Sequence, residues 1–242
     1  MRHAVNSEVS LPGYIGHTAY DAGRFGLRLL TDTARKFDIV MKQAMIAAAV
    51  RLAGAAGYDK THITRTVAYR AVDAFLDSLP CERLDALEIA AGWKWRQRRW
   101  GSFTEMNWPQ YDICEHALGR QFDIVIADNV WEHLLHPWRA AHNVLAMLKP
   151  GGLFINITPF LIRYHPIPSD CTRWTETGMR HFLGDVGFDI ASVETGSWGN
   201  EAAVKANFHR WAHTGWRRRL PNQPDFPVTV WAFARKPALA EP

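Results

Sequence analysis

The sequence predicts an α/β protein in which helices flank a mainly parallel sheet. Three apolar runs, at residues 84–90, 122–130 and 151–160, have the length and continuous hydrophobicity of strands that are buried on both faces. A segment with helical spacing of its apolar residues joins the second run to the third, and another such segment follows the third. Because strands that alternate with helices usually lie parallel in one sheet, we expect the three runs to be neighbours.

The N-terminal part of the chain is predicted to be an irregular arm followed by two helices. Proline and glycine interrupt residues 1–22, and apolar residues then recur at three- and four-residue spacing from about 24 to 53. A second helix is predicted over residues 63–78, with Thr61 as the candidate N-cap and Pro80 ending it.

These patterns predict one domain with an N-terminal extension. Residues 1–80 form the arm and helices, which we interpret as a lid or cap of the same domain. Residues 81–242 form the part that contains the sheet.

The second part of the chain continues with four further predicted elements. Helical periodicity over residues 131–149 ends at the sequence LKPGG, and an amphipathic helix over 175–188 ends at Gly187. Short strands are predicted at 189–196 and at 226–236, where apolar and polar residues alternate.

Composition narrows the classes of function. The 242 residues are 48% hydrophobic and carry a formal charge of only +4, which permits a sizeable core and does not require nucleic acid. Three scattered cysteines indicate neither a disulfide framework nor a zinc cluster, so no metal site is predicted and a reduced, cytoplasmic location is favoured. No secretion signal is recognised, and the most apolar stretch is too short to span a membrane and contains Arg51.

Two stretches resemble a known family. FDIVIADNVWEHLLHPWRAAHNVLAMLKPGGLFINITPF (122–160) resembles the second half of a class I S-adenosylmethionine-dependent methyltransferase, with its LKPGG turn leading into the next strand, and LEIAAG (87–92) resembles the first motif of that family. The match spans roughly residues 84–196. It implies a Rossmann-like fold, S-adenosylmethionine as cofactor, and methyl transfer to a small-molecule acceptor through an oxygen or nitrogen nucleophile.

The first half departs from the family pattern. Ala90 and Lys94 stand where the motif has glycines. Glu88 and Asp123 are only 35 positions apart (123 − 88), about half of what two more strand–helix units would need. We therefore predict an abbreviated segment, with SFTEMN (102–107) as a second strand and YDIC (111–114) as a short third one.

Candidate cofactor-binding residues lie in and after the first motif. The resemblance places Glu88, Ala90 and Gly92 at the cofactor, with Gly92 allowing close approach of the backbone. Glu105, 17 positions after Glu88 (105 − 88), is spaced to bind the ribose hydroxyls, or it is a solvated carboxylate. The adenine site is predicted at Asp112 and Ile113, with a turn cap as the alternative role of Asp112.

The ends of the next two strands supply further candidates. Asp128 and Asn129 end the run at 122–130, at the edge where open α/β sheets bind ligands, and are assigned to the cofactor site. The acceptor site is predicted at His133 and at the proline-rich loop that carries His165 and Asp170. Imidazoles titrate near neutral pH, so both histidines are candidate bases, while a brace between His165 and Asp170 is the alternative.

Two other interpretations stay open. WKWRQRRW (93–100) is either a solvated basic loop or a cover over an anionic group. The departures from the first motif also fit a methyltransferase-like module that binds no cofactor and acts as a binding or scaffold protein. Nucleic-acid binding, suggested by RWAHTGWRRRL (210–220), is the less favoured reading because the overall charge is small.

Overall fold

The computed structural model describes residues 18–209, 211–216 and 220–238. The chain divides into two compact units, of which the first ends at Gly57 and the second begins at Tyr58. In the first unit, helix α1 (Thr18–Ala55) confirms the predicted N-terminal helix and begins inside the segment predicted to be irregular. The rest of that predicted arm, residues 1–17, lies outside the described residues.

The second unit contains the sheet and the remaining helices. Its helices are α2 (Ile63–Asp77), α3 (Pro137–Met147), α4 (Glu176–Val186) and α5 (Glu201–His209). Its strands are β1 (Asp59–His62), β2 (Asp85–Ile89), β3 (Ser102–Met106), β4 (Phe122–Asp128), β5 (Leu148–Pro159), β6 (Glu194–Trp198), β7 (His213–Gly215) and β8 (Thr229–Arg235).

The six-stranded sheet has the order β3-β2-β4-β5-β8-β6. The first four of these strands are parallel, and β8 runs antiparallel to both β5 and β6. This confirms a mainly parallel, Rossmann-like sheet in which the three predicted strands are neighbours. It also confirms SFTEMN as a strand, which pairs with β2 so that Glu105 lies opposite Glu88. Strands β1 and β7 form a separate antiparallel pair.

The sheet buries apolar side chains on both faces. Val125 and Phe154 lie in a core cluster with side chains of α3 and α4, whereas Ile124 and Ile155 lie in a second cluster with side chains of α2. Successive residues of a strand point to opposite faces, so a continuous apolar run is what a sheet covered on both sides requires.

No α-helix joins β2 to β3. The connection contains only a 3-10 turn, Trp95–Gln97, and Trp95 is 1% exposed in the cluster beside α2. Its ring meets that of Tyr69 edge to face, with centroids 5.3 Å apart. A single tryptophan therefore occupies space on the face that α2 covers.

The basic run that surrounds Trp95 is tied to α2 by ion pairs. Lys94 Nζ lies 2.6 Å from Asp73 Oδ2, and Arg98 Nη2 lies 3.2 Å from Asp73 Oδ1. Arg98 also pairs with Asp77 at 2.8 Å. These two cations have carboxylates of α2 as partners, so this part of the loop is not simply solvated.

Several predicted boundaries are wrong, each for a local reason. YDIC is a turn, because Asp112 Oδ1 accepts from the Cys114 amide at 2.8 Å. The segment 131–149 is not one helix, because a 3-10 turn covers Trp131–His133 and α3 begins only at Pro137. Proline disfavours helical dihedrals in the residue before it, so His136 precedes the helix rather than belonging to it.

Two more boundaries differ near strand ends. Thr61 belongs to β1, so His62 takes the N-cap position of α2 and makes no side-chain cap. The strand predicted at 189–196 begins at Glu194, because Asp189 caps a 3-10 turn over Ile190–Ser192. Within the described residues, we find no helix with the length and hydropathy to cross a membrane.

Candidate active site

A cavity of about 510 Å³ opens at the carboxyl ends of β2, β3 and β4. This volume is in the range of small-molecule and cofactor sites, roughly 300–1,000 Å³. The wall combines apolar side chains with a few polar groups. It includes four of the predicted cofactor residues: Ala90, Asp112, Ile113 and Asn129. The structure does not place the other four in the wall: Glu88, Gly92, Glu105 and Asp128.

The turn after β2 uses its amides internally. The Ala90 amide donates to the Met106 carbonyl at 2.8 Å, and the Ala91 amide donates to Asn107 Oδ1 at 2.7 Å. The Gly92 amide donates to Glu88 Oε1 at 3.0 Å. Ala90 has a left-handed φ of 54°, a conformation that glycine adopts without strain, which explains why glycine suits this position of the motif.

Glu88 is the most strongly perturbed carboxyl of this turn. It is 1% exposed, and its Oε2 has no hydrogen-bond partner among the described residues. Burial raises the pKa of Glu88 to about 7, the Gly92 amide opposes the shift, and nearby Asp128 and Glu105 add to it. A buried carboxyl oxygen without a partner is unusual in a folded protein and marks a place where a ligand donor fits.

Glu105, the predicted ribose ligand, is held in an ion pair. Arg96 Nη2 lies 2.5 Å from Glu105 Oε1, and Arg96 Nε donates to the Gly92 carbonyl at 2.9 Å. The pair therefore closes over the turn that contains Gly92. Glu105 is neither in the cavity wall nor a carboxylate that only water solvates.

Asp112 and Ile113 both lie in the wall of the larger cavity. Asp112 Oδ1 caps the local turn, and the residue also lines the cavity. Ile113 is 5% exposed, and its carbonyl accepts from Asn143 Nδ2 at 2.7 Å, which ties the turn to α3.

The end of β4 is organised by hydrogen bonds to Asp128. Tyr69 Oη donates to Asp128 Oδ2 at 2.5 Å, and Asn129 Nδ2 donates to Asp128 Oδ1 at 2.6 Å. Arg65 Nε lies 3.7 Å from the same Oδ1. Asn129 takes a left-handed φ of 55°, which asparagine tolerates better than most residues.

A second cavity of about 220 Å³ adjoins the first and shares Asn129 and His133 with it. The predicted acceptor residue His165 also lines this second cavity. Sequence reasoning missed other members of its wall: His62, Arg65, Glu132 and Trp211. Glu132 could have been suspected, because it precedes His133 in the quoted stretch.

The remaining missed residues carried weaker signals. His62 and Arg65 belong to the region interpreted as a lid, and Trp211 belongs to the stretch read as a nucleic-acid binder. Of that stretch, residues 210 and 217–219 lie outside the described residues. Trp211 packs against His165, with ring centroids 5.3 Å apart.

Asp170 supports the loop and does not line either of these cavities. Its Oδ2 accepts from Arg173 Nη2 at 2.7 Å and from the His165 amide at 2.9 Å. Burial alone would raise the pKa of Asp170, but the hydrogen bonds and charges of Arg173 and His165 lower it overall. The predicted link between His165 and Asp170 therefore exists through the main chain of His165.

The fold and the two cavities define a Rossmann-like domain with a site at the carboxyl ends of its parallel strands. Residues 70–154 match the family described as "Methyltransferase domain". This match confirms, over residues 70–154, the resemblance to class I S-adenosylmethionine-dependent methyltransferases that the sequence predicts.

A curated relative gives the same family at low identity. An uncharacterized methyltransferase of Mycolicibacterium gilvum is 25% identical over 153 residues, which cover 59% of this chain. They cover 55% of the relative, so the chain spans about half the length of the curated relative that it matches.

Solved structures show more distant likeness. An S-adenosylmethionine-dependent methyltransferase from Mesorhizobium loti is 16% identical and covers 72% of this chain and 98% of its own, with a TM-score of 0.46. Phosphoethanolamine N-methyltransferase 2 of Haemonchus contortus, in complex with S-adenosylmethionine, is 12% identical over 70% of this chain and 52% of its own, with a TM-score of 0.48.

Proposed function

We propose that this chain transfers a methyl group from S-adenosylmethionine to the oxygen or nitrogen of a small-molecule acceptor. The observation that carries the proposal is that the two cavities meet at Asn129 and His133. A cofactor in the larger cavity and an acceptor in the smaller one would lie side by side. Holding two reactants in line is the largest contribution that a protein makes to a bimolecular transfer of this kind.

The larger cavity and the turn beside it offer groups that suit the cofactor. S-adenosylmethionine supplies an electrophilic sulfonium methyl group when it is bound. The unpartnered Oε2 of Glu88 lies beside the turn and suits a positively charged amino group. Asp112 and Ile113 suit a nucleoside base, since one accepts hydrogen bonds and the other gives an apolar surface. Glu105 is the ribose candidate and would exchange its bond to Arg96 for the ribose hydroxyls.

The smaller cavity suits a small polar acceptor. His133 and His165 present imidazoles to it, and Arg65 adds a cation. Burial is the main cause that lowers the pKa of His165, so this imidazole is neutral near pH 7 and has a lone pair for a proton or a cation. Cytoplasmic location and the lid role of the N-terminal helices stay predictions.

Calorimetric titration of the purified chain with S-adenosylmethionine and with its demethylated product tests the proposal. We expect both to bind with one site per chain. If the chain is folded and neither compound gives a heat of binding at millimolar concentration, the proposal is contradicted. Release of the demethylated product in the presence of small hydroxyl- and amine-bearing acceptors then identifies the nucleophile.

Replacing Glu105 by alanine tests the ribose assignment. The variant should weaken binding of the demethylated product by roughly 1–3 kcal/mol, because the ribose hydroxyls lose their acceptor. Glu194→Ala is the matched control, since Glu194 is an exposed carboxylate on β6, at the other edge of the sheet. Equal affinity in both variants would remove Glu105 from the site.

A second candidate function is a binding or scaffold module without cofactor. The observation that favours it is the turn after β2, whose amides at Ala90, Ala91 and Gly92 already have protein acceptors. In this case, the same calorimetric titration shows no binding although the chain is folded.

A further inference from the structure

We propose that Glu132, His133 and His165 bind one divalent transition-metal ion, with open coordination positions that face the smaller cavity. One potential ligand atom from each of the three side chains lies within 4.8 Å of the others. The separation between His133 Nε2 and Glu132 Oε1 is 3.7 Å. Ligands about 2 Å from a zinc ion lie roughly 3–4 Å from one another, so small side-chain rotations complete the set.

Two of the three side chains have buried atoms that lack a partner. Glu132 is 1% exposed, and its Oε2 has no hydrogen-bond partner in the described structure. The buried Nε2 of His165 has none either. Buried polar atoms are almost always satisfied, so two unsatisfied ligand-type atoms in one cluster indicate a missing common partner. A metal ion satisfies both at once.

The third ligand is oriented for metal binding. His133 Nδ1 faces the main-chain carbonyl of Ser169, so this nitrogen is the donor and Nε2 keeps its lone pair. Metal-binding histidines usually donate their other ring N–H to a carbonyl or carboxylate in this way. The Ser169 hydroxyl donates to the His133 carbonyl at 2.5 Å, and the Cys171 amide donates to the Glu132 carbonyl at 2.7 Å. These bonds hold the short turn in place before any ligand arrives.

The surrounding charges permit a cation. Arg65 and Arg173 are the cations near Glu132. Each already has its own carboxylate: Arg173 pairs with Asp170, and Arg65 lies 3.7 Å from Asp128. Glu132 is thus the acidic side chain that neither arginine takes as its ion-pair partner. Burial raises the pKa of Glu132, so a metal ion would displace a proton when it binds this side chain, and the carboxylate formed would balance part of the charge of the metal.

The ligand set selects the type of metal and the type of acceptor. Two imidazoles and one carboxylate suit zinc, iron(II), cobalt(II) or nickel(II) better than magnesium or calcium. Three protein ligands leave positions free for another molecule, as in catalytic zinc sites. If the proposed methyl transfer holds, the acceptor is a small molecule whose hydroxyl oxygen binds the metal, which lowers the pKa of that hydroxyl so that its proton passes to water. The oxygen would then form a bond to the methyl carbon as the bond between that carbon and the sulfonium sulfur breaks, and the demethylated cofactor would be the leaving group. His165 would then be a ligand rather than the base.

The sequence did not predict this site, because its members are separated along the chain. His165 follows His133 by 32 positions (165 − 133) and joins it only through the loop after β5. The pattern of cysteines had indicated no metal, and the cluster contains none.

Titration of the full, tag-free and metal-stripped chain with Co²⁺ alone tests the proposal. Visible absorption bands of protein-bound Co²⁺ should rise to a plateau at one equivalent, and Zn²⁺ should displace them. Glu132→Gln and His165→Gln should each weaken binding at least tenfold, a loss already typical of removing a supporting residue around a metal. The matched control is His181→Gln, because His181 is an exposed histidine on α4.

Melting temperatures separate loss of the site from loss of the fold. A ligand that binds only the folded state raises the melting temperature, so Co²⁺ should raise it in the wild type and in His181→Gln, and by clearly less in the two site variants. Circular dichroism should show all four proteins folded. The proposal is overturned if the wild type shows no plateau in absorption. It is also overturned if folded Glu132→Gln and His165→Gln bind Co²⁺ as the wild type does.

A chelating probe tests the open positions. Acetohydroxamate binds metals through two oxygens and should shift the Co²⁺ bands if these positions face the smaller cavity. Unshifted bands would overturn the open site. The metal titration needs no S-adenosylmethionine, so a chain that binds Co²⁺ but not the cofactor keeps this site and loses the proposed function. A chain that binds S-adenosylmethionine but not Co²⁺ keeps the proposed function and overturns the metal site.

Discussion

The turns after β2 and β4 lie side by side at one edge of the sheet and are built differently. Each begins with a residue in the left-handed conformation, Ala90 with φ 54° and Asn129 with φ 55°. After β4, a short 3-10 turn leads into the helix α3. After β2, no α-helix follows, and Trp95 packs into the core in its place.

The carboxylates that end the two strands show the same contrast. Asp128 accepts hydrogen bonds at both oxygens, from Tyr69 and from Asn129. Glu88 accepts one at Oε1 and, from the part of the chain that the structure describes, none at Oε2. The turn after β2 therefore keeps only Gly92 of the glycines of a regular nucleotide-binding turn and has no helix after it. Neighbouring side chains hold this turn, while one buried oxygen of Glu88 has no partner among the described residues.

Among the changes that test this comparison, removing the Trp95 ring should have the largest effect on the free energy of unfolding. Trp95→Ala should lower the free energy of unfolding by about 3–5 kcal/mol, the range for truncating a buried aromatic side chain. The matched control is Trp93→Ala, since Trp93 is 59% exposed two positions earlier and should change stability little. Urea denaturation measures both. Equal, small losses would show that the first turn does not depend on Trp95 for its support.

Glu88→Gln tests the unsatisfied carboxyl and has the next largest expected effect. Burial raises the pKa of Glu88 from 4.5 to about 7, so the folded state keeps a proton where the unfolded state has lost it. Stability contributed by this group is therefore full below about pH 4.5 and falls until about pH 7. Above pH 7, glutamine should make the protein more stable than the wild type by on the order of 2 kcal/mol.

Denaturation midpoints of Glu88→Gln and wild type should therefore converge as the pH is lowered to 4 and diverge as it is raised to 8. Glu194→Gln, at an exposed position, is the control and should track the wild type. A constant difference between Glu88→Gln and wild type across this range would show that Glu88 does not titrate as the structure indicates.

The same comparison explains what the sequence could predict. Strand β4 and its neighbours were found because continuous apolar runs report burial on both faces, a property that residues next to each other in the chain carry. The loss of the helix after β2 could be predicted only from the small number of residues between the strands. In the sequence Trp95 lies among basic residues of a predicted loop, and its burial depends on contact with α2, which is distant in the chain. The ion pairs with Asp73 and the pairing of Arg96 with Glu105 depend on contacts between separate elements.

The site was predicted in part for the same physical reason. His133 and Asn129 follow a strand directly, so their place at the sheet edge could be derived from their position. His165 was placed near them because its loop follows the adjacent strand. The same cavity is also lined by three residues from separate parts of the chain: Glu132 in a turn, His62 at the start of α2, and Trp211 in a distant segment. No local sequence pattern predicts that these residues lie together.

The smallest expected effect comes from restoring a glycine to the first turn. Ala90→Gly removes a Cβ from a residue at φ 54°, a conformation that costs an alanine about 1 kcal/mol or more. The unfolded chain gains freedom at the same time, which offsets about 0.4–1 kcal/mol. We therefore expect a variant that is as stable as the wild type or more stable by up to about 1 kcal/mol. Ala91→Gly is the matched control: Ala91 has no left-handed φ, so this variant should lose roughly 0.5–1 kcal/mol. Equal losses in both variants would show that Ala90 is not strained, and the contrast between the turns after β2 and β4 would then lie in Glu88 and Trp95 alone.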